Sequence, residues 1–76
     1  MAKTTINTAA LHSALDAARQ ERQIFWLVLA GEIGVSPSLL SRLGNGLKPD
    51  TDGFATIIAW LRLPAEDFFE HEGRRD

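Results

Sequence analysis

Residues 34–46 of the 76-residue chain read GVSPSLLSRLGNG, and this stretch decides the predicted fold. Ser36 is a favourable helix N-cap, and Pro37 suits the first helical position because its φ is already set and it has no N–H to leave unpaired. Gly44 and Gly46 follow about two turns later, and glycine readily adopts the left-handed conformation that ends helices. The stretch therefore predicts a very short helix with a defined start and a defined end.

Two helices are predicted on the N-terminal side of this stretch. The first is capped by Asn7 or Thr8 and extends to about Arg22. Its apolar residues recur at the i, i+3, i+4, i+7 spacing of one buried stripe, which consists of Leu11, Ala14, Leu15 and Ala18. The second helix covers about Trp26 to Ile33 and ends at Gly34.

Two more helices are predicted on the C-terminal side of this stretch. The predicted fold is therefore all-α, with five short helices in a single domain. Asp50 or Thr51 caps the fourth helix, whose apolar stripe consists of Phe54, Ile57, Ile58 and Leu61. Pro64 ends that helix and begins a fifth short one. Flexible ends are expected at about residues 1–7 and 72–76. The aromatic residues expected to close the core, one of which can also serve a dimer contact, are Trp60, Phe68 and Phe69.

The composition is that of one small soluble domain. A chain of 76 residues encloses a single core and is too short for the two-lobed cleft of a usual enzyme. The absence of cysteine excludes disulfides and thiolate zinc sites and favours a reducing compartment, so we expect a cytoplasmic protein. The longest apolar run, Ile24 to Ala30, is too short to span a membrane, and the first residues, MAKTTINT, do not resemble a signal peptide.

The formal charge is distributed unevenly along the chain. The net charge is −2, but residues 1–49 carry five basic and three acidic side chains, whereas residues 50–76 carry three basic and seven acidic ones. An acidic partner is therefore expected to meet the first two thirds of the chain.

The sequence contains no residue pattern typical of a catalytic or metal site. His12 and His71 lie at opposite ends of the chain, without thiolates or glutamates at metal-ligand spacing. The serines lack the strained turn and oxyanion arrangement of a nucleophilic site. We therefore expect no enzymatic activity, no catalytic residues, no metal, no cofactor and no small-molecule substrate.

The second and third predicted helices, joined by a short turn through Gly34, have the arrangement of a helix-turn-helix. If Leu40 and Leu43 face the core, the opposite face of the third helix consists of Pro37, Ser38, Ser41 and Arg42. Serine can donate to or accept from several base edges, and arginine can make two parallel hydrogen bonds to guanine O6 and N7. We therefore expect this face to read bases in the major groove of double-stranded DNA.

Short motifs from about Leu11 to Phe69 carry a family resemblance. They are Leu29-Ala30, Gly34-Val35-Ser36, Leu40-Ser41-Arg42, Asn45-Gly46, Pro49-Asp50, Trp60-Leu61 and Asp67-Phe68. On these residues the chain resembles the helix-turn-helix family of phage repressor and Cro proteins, often called the Xre family. It is especially similar to a small actinobacterial branch in which the turn reads GVSPS and the linker reads G-x-x-PD. The resemblance implies a dimeric transcriptional repressor that binds two DNA half-sites roughly 34 Å apart.

The resemblance also implies phosphate contacts near the starts of the second and fourth helices and in the loop after the third. These positions match Trp26, Asn45 and Lys48, and Arg19 is a further candidate from the first helix. Ser36 is primarily a cap, although its hydroxyl can also meet a phosphate. Asn45 has an alternative role as a turn residue with positive φ. Trp26 has three possible roles: packing under the first helix, stacking on a sugar edge, or contacting another protein.

Apolar residues near the presumed DNA face support a second interpretation. The second helix begins with bulky apolar residues where members of the family have a hydroxyl cap and polar residues, and the acidic Glu32 lies on the same helix. The candidate protein-interaction patch consists of Phe25, Leu27, Val28 and Leu39. The alternative function is a protein-interaction module of the same fold, similar to an antiactivator or antitoxin, with weak or no DNA binding.

Overall fold

The computed structural model describes residues 3–72, in which helices predominate. The elements are β1 (Lys3–Ile6), α1 (Thr8–Arg22), α2 (Trp26–Ile33), α3 (Pro37–Gly44), α4 (Thr51–Leu61), a 3₁₀ helix (Ala65–Phe68) and β2 (Phe69–Glu72). The expectation of a mainly helical domain is confirmed over this range. Two details differ from it: the predicted fifth helix is a single 3₁₀ turn, and two short strands form a small sheet.

The predicted limits of α1 and α2 are confirmed, and each has a local cause. Asn7, not Thr8, caps α1, because its side chain accepts a hydrogen bond from the backbone N–H of Ala10 at 3.0 Å. Gln23 ends the helix in the left-handed conformation. Gly34 ends α2 in the same conformation, with a φ of 96°.

The predicted limits of α3 are also confirmed. The Ser36 hydroxyl accepts a hydrogen bond from the backbone N–H of Leu39 at 3.2 Å, and Pro37 occupies the first turn. The helix ends at Gly44, and Gly46 then adopts a φ of 84°. The positive φ considered for Asn45 therefore belongs to Gly46, since Asn45 has a φ of −95°.

The fourth helix begins where the sequence predicts and ends earlier than Pro64. The Asp50 carboxylate, not the Thr51 hydroxyl, caps α4 by accepting from the backbone N–H of Gly53 at 2.8 Å. The helix ends at Leu61 because Arg62 turns into the left-handed conformation, with a φ of 60°. The following segment stays a single 3₁₀ turn because β2 begins directly after it.

The small sheet joins the two ends of the described chain. Strands β1 and β2 pair antiparallel, with Lys3 opposite Glu72 and Ile6 opposite Phe69. Neither strand is predicted from the sequence, because four residues are too few to establish an alternating pattern. The rest of the predicted flexible ends, residues 1–2 and 73–76, lies outside the described residues.

The core brings together side chains from all four α-helices and from the 3₁₀ turn. Its buried members are Leu11, Leu15, Leu29, Ala30, Ile33, Leu40, Leu43, Ile57 and Phe68. Helix α3 packs against both α1 and α2, so the predicted inward position of Leu40 and Leu43 is confirmed. Across residues 3–72, the helices are either too short or too polar to cross a lipid bilayer.

Candidate nucleic-acid interface

The outward face of α3 is polar and open to solvent. Leu40 and Leu43 are 2% and 1% exposed, whereas the residues on the other side of the helix are classed as exposed. These outward residues are the predicted base readers Pro37, Ser38, Ser41 and Arg42. The structure thus brings the four of them together on one accessible surface.

Three side chains form a hydrogen-bonded row along this face. The hydroxyl oxygens of Ser36 and Ser38 lie 3.3 Å apart, and Nη1 of Arg42 donates to the Ser38 hydroxyl at 3.4 Å. The spacing of four residues between Ser38 and Arg42 places them one above the other on a helix. The contact is long and uses one of the five N–H donors of a guanidinium, so it orients Arg42 while leaving the other donors for a ligand.

A cleft of about 340 Å³ lies beside this row, and α3 forms one wall of it. Pro37, Leu40 and Ser41 line that wall, and His12 and Trp26 line the other. The two aromatic rings are stacked, with centroids 4.8 Å apart and planes 22° from parallel. Of the three roles considered for Trp26, packing against the first helix is therefore the one that the structure contains.

Arg19 differs from the other predicted phosphate contacts because internal partners engage its guanidinium. It binds the Asp16 carboxylate at 2.8 Å, donates to the backbone carbonyl of Ile24 at 3.1 Å, and lies 5.0 Å from the centre of the Trp26 ring. These contacts join the end of α1 to the start of α2. To reach a phosphate, Arg19 would have to give up contacts that position α2.

The remaining predicted phosphate contacts lie at the two ends of α3. Ser36 precedes the helix, whereas Asn45 and Lys48 follow it, and the three residues are exposed. The backbone N–H of Asn45 bonds to the last turn of α3. These positions could meet phosphates on both sides of a groove that α3 enters.

The apolar surface predicted as an interaction patch contains three of its four predicted members. Phe25 is 80% exposed, Leu27 is 68% exposed and Val28 is 46% exposed. Leu39 does not belong with them, because it is half-buried and packs against the core. A methyl carbon of Leu39 lies only 2.8 Å from where a Cβ on Gly53 would be, so Leu39 contacts the first turn of α4.

Glu32 forms an ion pair within the chain. Its carboxylate accepts from Arg22 at 2.8 Å, and the same guanidinium lies 4.9 Å from the centre of the Trp60 ring. The acid near the presumed DNA face is thus paired with a cation, which reduces its repulsion of an anionic partner.

His12 is the main contributor to the site that sequence reasoning missed. Its ring lines the cleft, and its Nε2 lies 3.1 Å from where a Cβ on Gly44 would be. Two sequence features pointed to this position of His12: it follows Leu11 of the predicted buried stripe, and Gly44 leaves space at the end of the two-turn helix. A Cβ at Gly44 would therefore require the His12 ring to shift by a few tenths of an ångström.

The described residues 3–72 contain no cluster of three or more histidine, aspartate or glutamate side chains able to hold a metal ion. Comparisons of the chain with protein-family models, with curated proteins and with solved structures find no match. A functional conclusion therefore depends on the chemistry of the site itself.

Proposed function

We propose that the chain is a cytoplasmic, sequence-specific DNA-binding regulator of transcription that acts as a dimer. In this proposal α2 and α3 form a helix-turn-helix, and α3 enters the major groove. Repression is the simplest consequence, because a small DNA-binding domain can act by occupying a promoter. The observation that carries the proposal is the exposed polar row of Ser36, Ser38 and Arg42 on a helix whose other side is buried in the core.

The dimensions of α3 suit this role. An α-helix with its side chains is about 10–12 Å in diameter, which fits a major groove about 12 Å wide, and the eight residues of α3 span about 12 Å along the helix axis. The Ser36 cap stabilises its start and the Gly46 turn defines its end, so the helix keeps a fixed orientation relative to the core. Arg42 then supplies the bidentate donor for guanine, and Ser38 and Ser41 supply hydroxyls for neighbouring base edges.

Few positive charges lie near α3, and their number sets the expected salt dependence of DNA binding. Arg42 and Lys48 are the exposed cations that lie on α3 or directly after it. A dimer would bring about four such cations to the duplex, so the logarithm of affinity should fall with the logarithm of salt concentration with a slope of about −4. Binding away from the specific site should accordingly be weak at physiological salt.

Arg42 is the residue that tests base reading. The protein is first used to enrich binding sites from a random-sequence duplex library, and the enriched duplex is then titrated with each variant. Arg42→Ala should cost roughly 1–3 kcal/mol and relax the preference at one base pair. Arg42→Lys keeps the charge but loses the bidentate fork, so it should retain affinity for random DNA and still lose that preference.

The control variant is Lys3→Ala, which removes one exposed positive charge from β1. It should leave the preferred sequence unchanged. Base reading by Arg42 is refuted if Arg42→Lys keeps the full preference at every position, or if no sequence is enriched at all.

A second candidate function is supported by the exposure of Phe25, Leu27 and Val28. In that case the same fold binds a regulator or toxin through this apolar surface, and DNA binding is weak. The double variant Leu27→Glu with Val28→Glu tests this role, and DNA affinity is measured on a single half-site, which one subunit can bind without dimerising. Loss of a co-purifying partner with retained DNA affinity favours the protein-binding role, whereas loss of neither contradicts it.

A further inference from the structure

The outward face of α2 is apolar and uncovered in the described part of the chain. At about 100° per residue, Leu27, Val28 and Gly31 fall on one side of the helix, opposite the side that is buried in the core. Phe25 extends this surface at the start of the helix. We call Phe25, Leu27, Val28 and Gly31 the α2 face.

No contact within residues 3–72 requires a glycine at position 31. A Cβ built at Gly31 would meet no described atom within 4 Å, and Gly31 is not among the glycines with positive φ. Glycine inside a helix destabilises it relative to alanine, so this residue weakens α2 without an internal benefit. A hollow on an otherwise bulky apolar face can receive a bulky side chain of a second helix.

Phe25 departs from local preference at the same surface. It is the N-cap of α2, and its side chain makes no capping hydrogen bond within residues 3–72. N-cap positions strongly favour serine, threonine, aspartate and asparagine. Phe25 and Gly31 thus each weaken α2 at a solvent-facing position, and sequences break local rules in this way mainly where a function requires it.

We infer that the α2 face binds the α2 face of a second copy of this chain, with the two helices antiparallel about a two-fold axis. Val28 of each copy then lies over Gly31 of the other. Val28 and Gly31 are three positions apart, about one helical turn, and so lie on the same side of α2. A two-fold rotation therefore places the Val28 side chain of each copy against the Gly31 hollow of the other. This self-complementarity favours a second copy over an unrelated partner.

The charges around the α2 face are compatible with self-association. The face itself contains no ionisable side chain, and Glu32 at its edge is already paired with Arg22 at 2.8 Å. Bringing two copies together therefore places no unpaired like charges in contact. The biological role of this dimer rests on the proposed function. The dimer would supply the two-fold symmetry that paired DNA half-sites require.

The face is small, which sets the expected strength of the association. Stable dimers bury about 800 Å² per partner, and three bulky side chains supply less than that. We therefore expect a dimer that dissociates on dilution, with a dissociation constant of about 10–500 µM.

The first test is sedimentation velocity of the full chain without DNA, from about 5 µM to about 1 mM. The apparent mass should rise toward twice the monomer value with concentration. Val28→Glu should keep the chain monomeric, whereas Leu63→Glu, at an apolar position of similar exposure (42%), should leave the dimer intact. Gly31→Gln fills the hollow with a good helix former and should also abolish the dimer without loss of fold, which circular dichroism checks.

The second test fixes the orientation of the helices. The chain has no cysteine, so Val28→Cys and Gly31→Cys each introduce a unique thiol. A mixture of the two variants should form a disulfide-linked dimer at least about ten times faster than either variant alone. Faster linkage of Val28→Cys to itself would overturn the antiparallel arrangement.

A chain that stays monomeric at about 1 mM would overturn the inference, as would a dimer that survives both Val28→Glu and Gly31→Gln. Because neither test contains DNA, such a failure leaves the Arg42 result untouched. Failure of the Arg42 variants to alter sequence preference would equally leave the self-association result standing.

Discussion

Replacing Gly53 by alanine should destabilise the fold, although alanine is the better helix former. An added Cβ at Gly53 would lie 2.7 Å from the Asp50 carboxylate oxygen and 2.8 Å from a methyl carbon of Leu39. Both distances are shorter than a carbon atom tolerates, so at least one neighbour must move. The Asp50 carboxylate is the cap of α4, and Leu39 belongs to α3, so the change disturbs the contact between these two helices.

The magnitude follows from three terms. Loss of a cap costs about 0.5–2 kcal/mol, and overpacking a well-filled contact costs about 1–3 kcal/mol. The helix propensity of alanine returns at most about 1 kcal/mol. Together these terms lower the free energy of unfolding by about 0.5–5 kcal/mol, which lowers the melting temperature by at least about 2 °C in a domain of this size.

The matched control is Gly31→Ala, at a glycine that also lies within a helix. Its added Cβ meets nothing within 4 Å among the described atoms, so the free energy of unfolding should rise by about 0.5–1 kcal/mol at concentrations where the chain is monomeric. Urea unfolding followed by circular dichroism at about 10 µM measures both variants. Equal stabilisation by Gly53→Ala and Gly31→Ala would show that the added Cβ at position 53 causes no steric conflict.

Leu39→Ala provides an internal check on the cause. It removes the methyl group that the new Cβ would meet, at the cost of some packing of its own. The effect of Gly53→Ala should then be at least about 0.5 kcal/mol smaller in the Leu39→Ala background than in the natural chain. Strict additivity of the two changes would mean that the contact between α3 and α4 is not the source of the loss.

Two further variants separate internal cations from DNA-facing ones. Arg19→Ala should lower the free energy of unfolding by about 1–2 kcal/mol, because Arg19 links α1 to α2, and should leave the salt dependence of DNA binding unchanged. A change in salt slope without a change in stability would return Arg19 to the phosphate contacts. Lys48→Ala should do the reverse, weakening binding to all sequences alike and reducing the salt slope by about 1 per subunit. A changed base preference in this variant would contradict a phosphate contact.

The helix limits could be predicted because the residues that set them act locally. Asn7, Ser36 and Asp50 each accept a hydrogen bond from a backbone N–H three residues later, and this geometry depends on little beyond the chain near the cap. Gly34 likewise ends α2 through its own backbone conformation. Such signals are readable because cause and effect lie within four residues of each other.

Features that depend on distant residues could not be predicted. The pairing of β1 with β2 joins residues that are more than sixty positions apart. Each strand has only four residues, too few for an alternating pattern that would predict the pairing. The internal partners of Arg19 and the burial of Leu39 have the same origin. On the sequence alone both residues occupy plausible surface positions, and only the approach of α2 and α4 removes them from the predicted surface.

Glycines within the helices distinguish surfaces that the chain uses itself from surfaces left for a partner. Gly44 and Gly53 leave room for His12 and Leu39, so packing within residues 3–72 explains the loss of helix stability at both. Gly31 has the same intrinsic disadvantage and no such neighbour in the described chain. The contact inferred on the α2 face would compensate for this disadvantage outside the single chain. That contact would lie on α2, whereas base reading would use the outward side of α3, so dimerisation and DNA recognition would draw on different side chains.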